Sequence, residues 1–230
     1  MMGKKKDKKS LQSPADRVLS KNTSFTVREA YNTLRTNLEF SFSEKGSKVL
    51  LFTSTTQGEG KSTSCLNTAI TFGEAGFKTL VIDCDLRRPN INSLLQLGQK
   101  EGLSSLLTGH SQINDMLIPT QHTNLDVIVS GRIPPNPAEL LSSDAMRELV
   151  ERLKEYYDYV FLDAPPIGVV ADSMILSRYA DGVVLVVREN VTDKKMLQVA
   201  LGQLQFAKAK ILGFLYNDAA MEGKGYSKYY

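Results

Sequence analysis

The chain has 230 residues, 42% of them hydrophobic and 23% charged, which suits one folded domain with a real core and excludes a disordered chain, a collagen and a disulfide scaffold. Its net charge of +3 belongs to its start, where five lysines face Asp7 within residues 1–10, so that the other 220 residues sum to −1. Two cysteines without paired spacing (Cys65, Cys84) and two histidines (His110, His122) exclude a zinc site.

In chain order, the lysines at 4–9 are followed by polar residues and not by the apolar segment of a signal peptide. The longest apolar runs, such as 182–187, are too short to cross a bilayer. A cytoplasmic location is therefore expected, with residues 1–25 a basic, solvated arm of a kind that binds acidic lipid or nucleic acid. From 26 to 43, the spacing of Ala30, Leu34, Leu38 and Phe42 predicts an amphipathic helix. Short apolar runs then alternate with helical patterns. The predicted strands are 49–53, 79–83, 125–130, 159–163, 183–188 and 211–217, with helices over 62–75, 144–157, 172–179 and 193–208. Continuously apolar strands separated by helices predict a doubly wound α/β domain with a mostly parallel sheet over 26–217. Residues 218–230 have no apolar period and read as a flexible, tyrosine-rich tail.

Directly after the first strand comes Ser54-Thr55-Thr56-Gln57-Gly58-Glu59-Gly60-Lys61-Ser62-Thr63, and then a helix. Glycines let the backbone curl so that its N–H groups face phosphates, and the following helix N-terminus adds favourable partial charge. Gln57 to Thr63 are therefore the candidate phosphate cradle of a P-loop NTPase fold. Lys61 would bridge the β- and γ-phosphates of ATP, and the Ser62 hydroxyl would be a ligand to Mg²⁺. The usual pattern wants glycine at 55, where this chain has Thr55. Asp83 and Asp85 close the second strand, ahead of Arg87 and Arg88, and Asp163 closes the strand over 159–163. In parallel sheets ligands bind beyond the carboxyl ends of the strands, so all three aspartates should face the loop, as metal ligands or as a proton acceptor.

This triple of motifs resembles that of the bacterial tyrosine kinases, the cytoplasmic kinase subunits of capsule and exopolysaccharide systems, over nearly the whole chain. The loop resembles their Walker A motif, Ile82 to Arg87 their A′ motif, and Phe161 to Pro166 their Walker B. The stretch Ile133 to Leu141 is also similar to a family segment. The resemblance implies that Lys61 and Ser62 hold ATP and Mg²⁺. It implies Asp83 as the base that orients or deprotonates the acceptor tyrosine, with Asp85 and Asp163 on the metal side, and leaves the order of Asp83 and Asp85 open. Arg87 and Arg88 either neutralise phosphate charge and touch substrate or are solvated loop arginines. Asn217 stands where related ATPases contact adenine, or simply ends its strand.

Glu29 and Arg35 resemble part of an ExxRxxR oligomerisation motif whose first arginine is Asn32 here, which implies a ring-shaped homo-oligomer. Tyr226, Tyr229 and Tyr230 resemble the cluster that family members autophosphorylate in trans. The family further implies a transmembrane activator of the polysaccharide co-polymerase type that recruits the kinase to the inner face of the plasma membrane, a cognate tyrosine phosphatase, other protein tyrosine substrates and no nucleic acid. The rival reading is a nucleotide-switched ATPase of the septum-positioning or partition type. Those proteins usually carry an extra lysine at the position of Thr56, and a GTPase would need Asn-Lys-x-Asp, which does not occur.

Overall fold

Each central strand divides its side chains between two filled faces. In β1 (Lys48–Ser54), Val49 and Leu51 join one apolar cluster, while Leu50 and Phe52 join the other. This two-sided burial is why the strands read as uninterrupted apolar runs rather than alternating ones. The computed structural model describes residues 13–98 and 101–219. Among them the strands are β1, β2 (Thr79–Asp83), β3 (Ile118–Pro119), β4 (Leu125–Ile128), β5 (Tyr159–Asp163), β6 (Gly182–Arg188) and β7 (Ile211–Asn217). They form one sheet in the order β3-β4-β2-β5-β1-β6-β7, parallel throughout except for β3 against β4.

The helices are α1 (Phe25–Phe40), α2 (Lys61–Glu74), α3 (Ile91–Leu95), α4 (Leu103–Leu107), α5 (Ile113–Met116), α6 (Pro137–Ser142), α7 (Asp144–Lys154), α8 (Asp172–Leu176) and α9 (Lys194–Phe206). Leu149 of α7, Leu176 of α8 and Leu204 of α9 fill one face of the sheet. Leu38 of α1 and Leu66, Ile70 and Phe72 of α2 fill the other. There the Phe72 ring meets Tyr159 and Phe161 at centroid distances of 4.3 and 5.4 Å. Among the described residues no helix is long and apolar enough to cross a membrane.

Three expectations need correction. The stripe predicted for α1 is wrong at both ends, because Ala30 is exposed and the helix stops at Phe40. Residues four apart drift about 40° around a helix. Tyr31, Leu34 and Leu38 therefore make the inner face, and Phe42 lies past the helix beneath the ammonium groups of Lys48 and Lys210. The stretch between β2 and β5 holds α3 to α7, the antiparallel β3 and β4, of which only α7 and β4 were predicted. Last, the arm drawn over 1–25 includes packed chain. A 3₁₀ turn over Pro14–Arg17 leads into buried Val18 and Leu19, and Asn67 of α2 accepts from Leu19 N–H and donates to the Arg17 carbonyl. The lysines at 4–9 and Tyr226, Tyr229 and Tyr230 lie outside the described residues.

Candidate active site

The loop between β1 and α2 is built on left-handed backbone. Gly58 has φ +80° and Gly60 φ +92°. Gly60 is also the N-cap of α2 and gives it no side-chain cap, so the first N–H groups of a 14-residue helix are left for an anion. A Cβ at Gly60 would come within 2.1 Å of the Asn217 amide nitrogen. Gly60→Ala is therefore expected to cost roughly 1–3 kcal/mol of stability through backbone strain alone and to weaken nucleotide binding, measurable by thermal melting with and without ADP.

The Glu59 side chain serves the loop itself. Its carboxylate is fully buried and turned inward, where it accepts from Thr55 and Thr56 N–H at 2.7 and 2.9 Å and from the Thr55 and Thr192 hydroxyls. The position usually filled by glycine thus carries a hydroxyl that Glu59 engages. Asn217 is committed as well, since its Nδ2 donates to the Glu59 carbonyl at 2.9 Å. Arg188, at the end of β6, donates to the Gly58 carbonyl and to Asp218.

Lys61 opens α2 and points at the ends of β2 and β5. Its Nζ lies 3.0 Å from Asp85 Oδ2 and 3.3 Å from Asp163 Oδ1. Burial alone would lower the Lys61 pKa, but Asp163, Asp85 and Asp83 together raise it above the ordinary lysine value. The three carboxylates are not equivalent. Asp83 is fully buried, and both its oxygens are taken: Oδ1 by Asp85 N–H, Oδ2 by Asn90 and Ile91 N–H. Desolvation, and then the nearby Asp163, push its pKa up to about 7. Asp83 therefore shapes the turn into α3, and its Oδ1, which accepts a single hydrogen bond, keeps capacity for a further partner.

Asp85 lines the cavity over the loop, a space of about 250 Å³ that it shares with Gln57, Gly58, Gly60, Lys61, Ser62 and Thr63. Asp163 is fully buried, burial holds its pKa above the usual carboxylate range, and its Oδ2 has no hydrogen-bond partner. An orphaned buried carboxylate oxygen close to the Ser62 end of α2 is the feature a metal-bound water would satisfy. Among the described residues no group of three or more His, Cys, Asp or Glu side chains stands ready as a protein-only metal cage.

The two arginines, alike in the sequence reading, take different places. Arg87 forms a two-pronged pair with the buried Asp172 of α8, at 2.8 and 3.1 Å, and so ties the A′-like loop to the Walker B side of the sheet. It is Arg88 that lines the cavity, with Nη1 donating to Gln57 at 2.5 Å. Glu29 and Arg35 serve inside the chain: Asn32 donates to Glu29, and Arg35 donates to the Thr71 carbonyl of α2 and pairs with Glu39. The sequence reading missed Asp172, Thr192 and Arg188. Their partners lie 85, 133 and 130 residues away, and no local pattern marks them.

Residues 47–198 match a family model described as an AAA domain. The tyrosine-protein kinase YwqD of Bacillus subtilis is 43% identical over 201 residues, which cover 87% of this chain and 83% of that protein. Among solved structures, the chimerical protein CapA2B2 superposes with a TM-score of 0.80 at 34% identity, covering 86% of each chain. The kinase domain of the Escherichia coli tyrosine kinase ETK gives 0.79 at 31% identity, covering 94% of this chain and 88% of that one. The septum site-determining protein MinD of Pyrococcus horikoshii, complexed with Mg-ADP, gives 0.61 at 25% identity over 73% of this chain and 69% of that one.

Proposed function

Since the chain belongs to the family of these tyrosine-protein kinases, with their nucleotide-binding fold, we propose that it transfers the γ-phosphoryl group of ATP to tyrosines of its own C-terminal cluster, Tyr226, Tyr229 and Tyr230, on a neighbouring copy. What supports the reading is the convergence of Lys61, Ser62 and Asp85 on one cavity at an uncapped helix N-terminus, with Asp163 paired to Lys61, in a chain 43% identical to a tyrosine-protein kinase.

The residues divide the work as follows. Backbone N–H groups of the loop and the start of α2 bind the phosphates, and Lys61 neutralises charge on the β,γ-bridge as that bond breaks. Ser62, and Asp163 through a water, would hold Mg²⁺, which would supply further charge neutralisation on the phosphate oxygens. The phenolic oxygen forms the new bond to the γ-phosphorus, the bridging oxygen leaves with ADP, and Asp85 receives the phenolic proton. Asp85 replaces Asp83 in this role because it alone of the pair borders the cavity. The phosphates take Lys61 over from Asp85 and free that carboxylate for the proton.

The role extends to capsule or exopolysaccharide synthesis and export, in the cytoplasm at the inner face of the membrane. A membrane-spanning activator recruits the kinase there, copies assemble as a ring, and a phosphatase resets the tail. Each phosphate adds roughly −1.5 to −2 charges, which opposes docking of the tail beside Asp85 and Asp163 and releases the ring. The extra lysine usual in the septum-positioning ATPases is absent at Thr56, which favours the kinase.

Intact mass after incubation with ATP and Mg²⁺, with and without the cytoplasmic tail peptide of the activator, tests this. The expected result is a series of phosphate-sized steps that map to residues 226–230. Release of ADP with no mass gain, activator peptide present, would instead make the chain an ATPase switch.

A further inference from the structure

The cations around the phosphate-binding loop are nearly all spent on protein partners. Lys61 is held by Asp85 and Asp163, Arg87 by Asp172, Arg88 by Gln57, and Arg188 by Asp218 and the Gly58 carbonyl. Lys61 and Arg88 line the cavity with Asp85, and the buried Asp163 pairs with Lys61, so two positive charges face two carboxylates. That balance is poor for a polyphosphate.

Arg17 lines the same cavity, together with Lys61, Ser62 and Thr63 of α2 and with Arg88. Among the described residues no hydrogen bond or ion pair engages its guanidinium. Its backbone is fixed nonetheless. The Arg17 carbonyl accepts from Asn67 Nδ2 at 3.0 Å, Leu19 N–H donates to Asn67 Oδ1 at 2.8 Å, and Val18 and Leu19 are buried against the α2 face of the sheet. Asn67 lies four residues beyond Thr63, about one helical turn, so this double hook sets the strap at a defined height above the phosphate end of α2.

We propose that Arg17 is a phosphate-binding residue of this site, contributed by the N-terminal strap, whose guanidinium engages a phosphate of the bound nucleoside polyphosphate. The assignment rests on the nucleotide reading given above and extends it to a segment that lies outside the three motifs. A planar guanidinium suits two phosphate oxygens at once, and a backbone already tied down on α2 lowers the entropy cost of that contact.

Isothermal titration of the full chain with Mg-ADP tests the proposal, comparing wild type, Arg17→Gln, Arg17→Lys and Lys61→Met. Arg17→Gln is expected to raise Kd about tenfold, as for loss of one charge-assisted contact. Arg17→Lys should recover part of that loss. The unfolding midpoint without nucleotide should stay at the wild-type value, because the side chain holds nothing in the protein. Wild-type affinity in Arg17→Gln, together with lost binding in Lys61→Met, overturns the role of Arg17 and leaves the kinase reading standing. Absence of binding by the wild type overturns both.

Discussion

Replacing Lys61 by methionine is expected to abolish autophosphorylation and to weaken the nucleotide-free fold. The catalytic loss should be at least roughly 10²–10³-fold, the cost of removing one preorganised positive donor from developing phosphate charge. The structural loss has a separate cause. Lys61 Nζ is the cation between Asp85 and Asp163, and the side chains of the three are only 11%, 4% and 0% exposed. Removing one partner of a buried ion pair costs about 3–5 kcal/mol, since the remaining charges are neither solvated nor matched. Protonation of the orphaned carboxylates relieves this. The stability gap between wild type and Lys61→Met in urea titrations should therefore be widest near pH 8 and narrow toward pH 5. A gap that is constant over that range would mean that the carboxylates do not depend on Lys61.

Asp83→Ala and Asp85→Asn should separate fold from chemistry. Asp83 accepts from three backbone N–H groups that open the turn into α3. Its loss should destabilise the chain by roughly 2–4 kcal/mol, as buried donors are left unpaired. Asp85→Asn retains an acceptor for Arg88 N–H, and Lys61 keeps Asp163, so that variant should melt near wild type. Its phosphoryl transfer should fall roughly 10²–10⁴-fold, the usual worth of a positioned general base. An Asp85→Asn variant with wild-type turnover would remove the carboxylate from the reaction.

Asp83 also sets a pH dependence. Its folded pKa of about 7 lies above the ordinary 3.8, so the folded chain keeps a proton that the unfolded chain releases. The stability this contributes is complete below the unfolded value and is lost as pH rises through 7, on the order of 4 kcal/mol in all. Urea titrations from pH 4 to 8 should show that decline in wild type and a flatter profile in Asp83→Ala.

Much of this site is legible in one dimension because its parts are local. A strand, a left-handed turn and a helix must be consecutive to cradle phosphate, so Gly58, Gly60, Lys61 and Ser62 are adjacent in the chain. The four strands β1, β2, β5 and β6 are legible for a related reason: burial on both faces demands unbroken apolar runs. The helices α3 to α6 between β2 and β5 are not, since helices of four to six residues have too little periodicity to declare themselves.

The sequence by itself determined the fold class, the phosphate loop and the three strand-end carboxylates. Only the tertiary structure decided what each charge does. It spends Asp83 on backbone N–H groups, turns Glu59 inward, gives Arg87 to Asp172, leaves Asp163 Oδ2 without a partner and brings Arg17 to the cavity. The physical reason is that a charged side chain takes its role from the partner it meets and the water it loses. Both are set by residues tens of positions away, brought near by the sheet order.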